Sequence, residues 1–383
     1  MMEYRTFGRL DWRVSVLGFG AMRLPILDGD RTKIDEPLAT RMIRTAIDAG
    51  VNYVDTAWPY HGGNSETVVG RCLRDGYRGR VRLATKMPVW LIHERSQFDH
   101  YLGEQLQRLQ TDHIDFYLLH GLNRAQWEKV RDLGVLDWAQ EPLRDGRIGA
   151  LGFSFHDELS VFLEIVDAYE WTFCQIMYNY MDIDFQAGTK GLKHAADKGM
   201  AVVVMEPLRG GQLTCPVPEP VARLLAEAPA RRTQADWALQ WVWNHPEVTL
   251  ALSGMSTMEH VQGNLDSANR AQVGSLTPEE MTLIDRVREA YRALSAVPCS
   301  GCGYCQPCPQ EVDIPRILAT YNDLRMYGDE TRAAMTYHQF LPAEKRADRC
   351  VACGECESRC PQQIKIIDWL KTIHRDLSEL PTP

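Results

Sequence analysis

Eight of the eleven cysteines in this 383-residue chain stand in two short runs near its C-terminus. "CSGCGYCQPCP" supplies Cys299, Cys302, Cys305 and Cys308, with two residues in every gap and Pro309 following. "CVACGECESRCP" supplies Cys350, Cys353, Cys356 and Cys360, with three residues in its last gap and Pro361 following. Three thiolates at two-residue intervals wrap one face of an iron–sulfur cubane, and a remote cysteine before proline completes the neighbouring cluster. Crossed in that way, one [4Fe-4S] cluster takes Cys299, Cys302, Cys305 and Cys360. The other takes Cys350, Cys353, Cys356 and Cys308. Two structural zinc sites are an alternative, although zinc usually takes paired C-x2-C knuckles set well apart. Clusters that only staple a small domain are another.

Four other residues could handle a proton together. Asp55 ends "VNYVD", Tyr60 lies in "TAWPYHGGNSE", Lys86 ends "VRLATK" and His120 ends "IDFYLLH". Singly they read as a capping Asp, an interfacial Tyr, a surface Lys and a core His. As a set they do more. A phenol with a pKa of about 10 is a poor acid at neutral pH unless a cation lies against it. Lys86 supplies that cation, Asp55 holds it by an ion pair, and a neutral His120 directs a substrate oxygen toward Tyr60. Such a device suits reduction of a carbonyl or oxidation of an alcohol.

The elements that must carry these residues are legible as eight apolar runs in the first 260 residues: "VSVLGFG", "VNYVDT", "VRLATK", "IDFYLLH", "IGALGFS", "FCQIMY", "MAVVVMEP" and "VTLALSG". Between them lie segments of helical spacing, such as Phe98, Tyr101, Leu102, Leu106 and Leu109. Eight strands alternating with helices predict an α/β fold, a closed (β/α)8 TIM barrel, whose working side chains sit at the carboxyl ends of its strands. An open doubly wound sheet would need a G-x-G-x-x-G turn, whereas the first run ends "GFGAMRLP". In "WALQWVWNHPEV", Trp237 and Trp241 are four apart and predict a helix face packed on the barrel. Thr277 and Glu280 form a capping box that opens a helix to about Leu294, and "SAVPCS" ends it. This divides the chain into a barrel, residues 1–295, and a small domain, residues 296–383, in which "DIPRILATYNDLRMYG" and "ETRAAMTYHQFL" read as helices.

Bulk properties exclude some partners. The net charge is −9 and the pI about 5.7, so no basic stripe is available for nucleic acid. The N-terminus has no apolar export region, and no eighteen apolar residues run together, so a cytoplasmic protein without a membrane span is expected. In a reducing compartment, dense cysteines favour metal over disulfides. Cys72, Cys174 and Cys215 stand alone and are expected to fill the core.

Roughly residues 3 to 292 resemble the aldo-keto reductases. "VDTAWPYHGGNSE" looks like the family's "DTAxxYGxSE" block, "ATK" like its lysine strand and "LQTDHIDFYLLHG" like its "DxxDLYLLH" block. The resemblance implies a barrel with catalytic Asp55, Tyr60, Lys86 and His120, and a nicotinamide cofactor extended across its mouth. It carries cofactor contacts onto Gly20, Met22, Ser154, Gln175, Pro207, Leu208, Gly254, Ser256, Gln262 and Asn264. Departures from the pattern are specific. Phe155 replaces an Asn that contacts the carboxamide, and Met205 replaces the tyrosine that stacks on the nicotinamide. Gly254 and Thr257 stand where a cation would meet the adenosine 2′-phosphate, which disfavours NADPH. NAD(P)H is the leading cofactor of this reading, with a flavin as an option.

The C-terminal region resembles a bacterial two-cluster ferredoxin of helical type, and the whole chain an iron–sulfur branch of the reductase family. Hydride transfer moves two electrons together and needs no cluster. The clusters therefore imply a one-electron partner such as a ferredoxin or flavoprotein. Two other readings stay open: an electron-transfer or binding subunit with a scaffold barrel, and a lyase or isomerase using the same four residues. Trp90 and Trp127 are the aromatic residues expected to reach the substrate.

Overall fold

The computed structural model describes residues 1–381. A short antiparallel hairpin, β1 (Tyr4–Thr6) and β2 (Arg13–Ser15), precedes the barrel. Eight parallel strands follow: β3 (Leu17–Gly20), β4 (Tyr53–Asp55), β5 (Arg82–Met87), β6 (Ile114–Leu122), β7 (Ile148–Phe155), β8 (Phe173–Met177), β9 (Ala201–Met205) and β10 (Leu250–Ser253). They close in the order β10-β3-β4-β5-β6-β7-β8-β9. The run "VSVLGFG", read as one strand, is in fact divided. Val14 and Ser15 pair with β1, and the barrel strand begins at Leu17.

The helices between the strands are α1 (Glu36–Asp48), α2 (Ser65–Cys72), α3 (Gln97–Leu109), α4 (Arg124–Asp132), α5 (Val135–Asp145), α6 (Leu159–Asp167), α7 (Gly188–Asp197), α8 (Glu219–Ala226), α9 (Gln234–Trp243) and α10 (Met258–Ala268). Local chemistry fixes their ends. Asp35 caps α1 by accepting from the Leu38 N–H, and Gln110 ends α3 in a left-handed conformation at φ 56°. Helix α3 buries Phe98, Leu102, Gln105 and Leu109, whereas Tyr101 and Leu106 of the expected stripe are only half-buried. The polar Gln105 inside that stripe becomes important below. Trp237 and Trp241 are buried on α9, as their spacing predicts.

Phe7, between the hairpin strands, stacks on Phe116 at 4.4 Å and packs with Tyr53, Phe173, Val203 and Leu250. Most of these lie near the amino ends of their strands. Each large side chain buried there contributes about 1.5–3 kcal/mol. The apolar floor leaves the polar side chains to the carboxyl ends, where barrel chemistry is done.

The chain forms two compact units that do not divide at a single point in the sequence. Residues 1–210 and 232–277 make the first, and residues 211–231 join those from 278 onward in the second. The second therefore holds α8 together with α11 (Pro278–Arg292), joined by an Arg286–Glu227 ion pair of 2.8 Å. It continues through α12 (Ile314–Tyr327), α13 (Glu330–Met335), α14 (Glu355–Arg359) and α15 (Ile366–Ser378). Its core contains Val297, Val312, Ile317, Leu318, Leu370 and Ile373. Asn322 pins Val297 by two 2.8 Å bonds, one in each direction. The expected helix over "ETRAAMTYHQFL" widens after Met335 into a π-type turn at Thr336–Phe340. Among the described residues, no helix is long and apolar enough to cross a membrane.

Candidate active site and cysteine clusters

Asp55, Lys86 and His120 come from the adjacent strands β4, β5 and β6, and Tyr60 from the loop after β4. The Lys86 Nζ donates to Asp55 Oδ1 at 2.6 Å and to the Thr56 carbonyl at 2.9 Å, and lies 3.4 Å from the Tyr60 hydroxyl. Lys86 is fully buried, which overturns the surface reading of that residue. Burial alone would lower its pKa. The Asp55 carboxylate and the Tyr60 oxygen outweigh burial, and Lys86 is held above the usual lysine value.

Tyr60 is raised above the usual phenol value: burial pushes it up, Lys86 pulls it down, and the Asp55 carboxylate adds to burial. The expectation that Lys86 would leave a net acidified phenol is therefore not met. The His120 ring stands edge-on to Tyr60 at 6.0 Å. Burial, and then the nearby charge of Lys86, keep it well below the usual histidine range, so it is neutral at pH 7. Its Nδ1 is buried without a partner, as is the second carboxylate oxygen of Asp55.

The loop carrying Tyr60 is locked by strained backbone. His61 takes a left-handed φ of 54°, its Nε2 accepting from the Leu24 N–H at 3.1 Å while Nδ1 donates to the Arg31 carbonyl at 2.8 Å. Gly62 follows at φ 64°, and a Cβ there would lie 2.8 Å from the Thr32 methyl.

Beneath the four residues runs a network that the sequence reading missed. Glu66, fully buried on α2, accepts from Thr85 at 2.6 Å and from Gln105 at 2.5 Å, and Gln105 also donates to the Lys86 carbonyl at 3.0 Å. Arg108 pairs with Glu66 at 3.4 Å and covers the Trp58 ring at 3.4 Å, two residues before Tyr60. The signal was present in the sequence as a polar Gln105 at a buried helical position.

In the second unit, none of the eight motif cysteines is engaged in a disulfide. Cys308 of the first run lines one cavity with Cys350, Cys353 and Cys356 of the second, and Cys305, Ile314, Ile367 and Leu370 complete its wall. The Cys305 thiol is pushed up to about 11, first by burial and then by its neighbours Cys299, Cys356 and Cys302. Thiols crowded in this way resist ionisation unless a cation lies among them, and they form a donor set suited to iron. Among the described residues, no three His, Cys, Asp or Glu side chains converge on one metal ion. A cubane spreads its thiolates more widely than a single ion does.

Comparison with known proteins bears on both units. The family model of the aldo/keto reductases matches residues 16–289, and that of the 4Fe-4S dicluster domain matches residues 298–364. The chain belongs to the aldo-keto reductase family. L-galactose dehydrogenase of Arabidopsis thaliana is 24% identical over 77% of this chain and 97% of its own length. NADH-specific methylglyoxal reductase of Escherichia coli is 25% identical over 76% of this chain and 99% of its own. A holo aldo-keto reductase from Bacillus halodurans superposes with a TM-score of 0.62 at 28% identity, covering 75% of this chain and 96% of that one.

In this aldo-keto reductase the residues expected to meet a dinucleotide fall into two groups. Gln175 is buried with its Oε1 unpartnered, its Nε2 lying 3.5 Å from the Met205 sulfur, an orphaned acceptor that fits a carboxamide N–H. Ser154 is buried and accepts the Gly121 N–H at 2.7 Å. Gly20 ends β3, Met22 is exposed, Pro207 is buried and Leu208 half-buried beyond β9. The remainder are tied within the chain: Gln262 donates to Asp266 at 2.9 Å, Asn264 to Ser253 at 2.8 Å, and Ser256 to the Arg23 carbonyl at 2.9 Å. Gly254 is exposed.

The two tryptophans separate as well. Trp90 is 37% exposed and stands against the His120 ring at 5.2 Å. Trp127 is buried against Trp171 in the core, and its expected reach to substrate is corrected. Of the isolated cysteines, Cys72 and Cys174 are buried, but Cys215 is only half-buried and does not fill a core position.

Proposed function

We propose that this protein interconverts a carbonyl compound and an alcohol with a nicotinamide dinucleotide, and that its C-terminal unit carries two [4Fe-4S] clusters in crossed ligation. The observation that carries the first part is the buried Lys86 between Asp55 and the Tyr60 hydroxyl. The names of two relatives, a methylglyoxal reductase and a galactose dehydrogenase, support the same chemistry in its two directions. No observation favours a flavin.

When bound, the dinucleotide supplies or accepts the hydride at the carbonyl carbon. The protein's task is the proton. Tyr60, its pKa raised, is protonated at neutral pH and gives its hydroxyl proton to the carbonyl oxygen. The Lys86 ammonium then lies against the phenolate left behind, and Asp55 keeps that ammonium charged and in place. Neutral His120 directs the carbonyl oxygen to Tyr60 without competing for the proton. The orphaned Gln175 acceptor would hold the cofactor's carboxamide N–H.

Cys299, Cys302, Cys305 and Cys360 would hold one cluster, and Cys350, Cys353, Cys356 and Cys308 the other. One cavity brings Cys305 and Cys308 of the first run beside Cys350, Cys353 and Cys356 of the second, which supports an exchange of ligands between the two runs. When bound, such clusters pass single electrons, which calls for a one-electron partner of the ferredoxin or flavoprotein class. Anaerobically prepared, iron-loaded protein should oxidise NADH or NADPH in the presence of methylglyoxal or other small aldehydes and ketones. No consumption of either dinucleotide with any carbonyl would overturn the proposal.

A further inference from the structure

We propose that His61 is a positioning residue for Tyr60: with its proton on Nδ1, the imidazole clamps the loop that carries the phenol to the end of β3, and a second proton opens the clamp. The proposal rests on the reading of Tyr60 as proton donor and adds a control over it. Both ring nitrogens are committed. Nε2 meets the Leu24 N–H at 3.1 Å, and since that group can only donate, Nε2 must accept. Nδ1 meets the Arg31 carbonyl at 2.8 Å, and since that group can only accept, Nδ1 must donate. One neutral tautomer satisfies both partners. An imidazolium does not, because its Nε2–H points at the Leu24 N–H.

The clamp sits where Tyr60 needs it. Leu24 is buried directly after the Ala21–Arg23 turn that follows β3, so it gives the ring a fixed point on the barrel. Residues 25–34 form a loop bridged at Ile26 and Ile34, and from Ile26 to Lys33 it is exposed apart from Asp30. Polar bonds tie this loop to that of Tyr60: His61 to the Arg31 carbonyl, and the Asn64 side chain to the Thr32 carbonyl at 2.9 Å. His61 itself lies in the left-handed region at φ 54°, which a residue with a Cβ keeps only under restraint. It follows Tyr60 in the chain, so a turn released there frees the backbone that aims the phenol at Lys86.

Burial and the charge of Arg31 hold the ring below the usual histidine value, against the raising effect of its bond to the Arg31 carbonyl. The other charged groups on the elements around it are Asp28, Asp30 and Lys33 of the loop, Arg23 before Leu24, Glu36 of α1 and Glu66 of α2. Asp30 is engaged with Thr32 at 2.7 Å and Lys33 at 3.4 Å, Glu36 with Arg71 at 2.6 Å, and Glu66 with Thr85 and Gln105. A folded pKa below the unrestrained one sets the sign. The clamp is complete above about pH 6.5 and weakens up to about tenfold for each pH unit below it, until the clamped ring is itself protonated.

The test compares the pH dependence of kcat for carbonyl reduction, between about pH 5 and 8, in wild type, His61→Gln and His61→Leu. Tyr60 stays protonated over that range. Asp55 and Glu66, raised by burial, can add an acid limb, but one that all three proteins share. Glutamine keeps an acceptor for the Leu24 N–H and takes up no proton, whereas leucine keeps neither bond. Wild-type kcat should therefore fall further toward pH 5 than that of His61→Gln. At about pH 7.5 His61→Leu should be roughly ten- to hundredfold slower than wild type, the scale of a misplaced catalytic group, and His61→Gln should recover part of that loss. Acid limbs of equal depth in wild type and His61→Gln overturn the proposal, as does a folded His61→Leu protein at the wild-type rate. The ring is also read without turnover. Its 15N resonances, assigned by their loss in His61→Gln, should show Nδ1 protonated and Nε2 bare at neutral pH, with a midpoint below about 6.5. A proton on Nε2, or a midpoint at or above that value, overturns the clamp. Wild-type protein that reduces no carbonyl overturns the function reading instead, and the ring resonances then decide the clamp by themselves.

Discussion

Lys86→Met removes an ammonium with 0% side-chain exposure from a carboxylate with 3%. At 2.6 Å and an effective dielectric of about 20, the attraction is roughly 6 kcal/mol, much of it offset by the cost of drying both ions. Breaking such a pair from one side costs about 3–5 kcal/mol, because the remaining charge is left buried. Asp55 is especially exposed to that penalty, since its Oδ2 has no partner even in the intact site. Asp55→Asn should cost a similar amount by stranding Lys86 on the Thr56 carbonyl. Asp55→Asn/Lys86→Met strands neither, so the double variant should be about as stable as either single one, a coupling of about 3 kcal/mol. Urea unfolding at pH 7, followed by tryptophan fluorescence, reads this chiefly from the barrel, since nine of the ten tryptophans precede residue 278. The sign with pH is also set. Lys86 is raised above its unfolded value, so its contribution is complete below about pH 10 and is lost only as pH rises through the folded value. Single-variant losses that simply add in the double variant would refute the coupled pair.

His120 is lowered by burial and by Lys86, so the unfolded chain takes up a proton below about pH 6.5 that the folded site refuses, and this residue weakens the fold as pH falls. Its ring resonances should not titrate between pH 6 and 8, and a midpoint near 6.5 would contradict the neutral assignment. Cys308→Ser should damage the cluster ligated by Cys350, Cys353 and Cys356, with iron falling from about eight atoms per chain toward four; loss of the Cys299 cluster instead would contradict the crossing. Trp127→Ala should cost about 3–5 kcal/mol of stability. Trp90→Ala should leave the fold nearly unchanged and raise the KM for the carbonyl, so equal stability losses in the two would overturn the distinction drawn between them.

Much of the barrel was legible because its signals are local and periodic. Eight apolar runs with helical spacing between them require crossovers, and Asp55, Lys86 and His120 each end one of those runs. The failures share a physical cause. Whether Trp127 faces substrate or Trp171 depends on packing between neighbouring α-helices and loops, which residue type does not reveal. The net pKa of Tyr60 depends on how dry its ring is as well as on which cation is near. Glu66 and Gln105 meet across two elements, and only a polar residue in an apolar stripe hinted at them. The cysteine runs were the opposite case, since their spacing alone pointed to the iron–sulfur domain whose family model matches residues 298–364.

The account turns on Tyr60 as the proton donor. Initial rates of dinucleotide oxidation with methylglyoxal or the best aldehyde found, compared between wild type and Tyr60→Phe, test it most directly. Binding of the dinucleotide should be unchanged while kcat falls about 10²–10⁴-fold, the range of a positioned general acid. A Tyr60→Phe protein that binds the dinucleotide and turns over at the wild-type rate would contradict it.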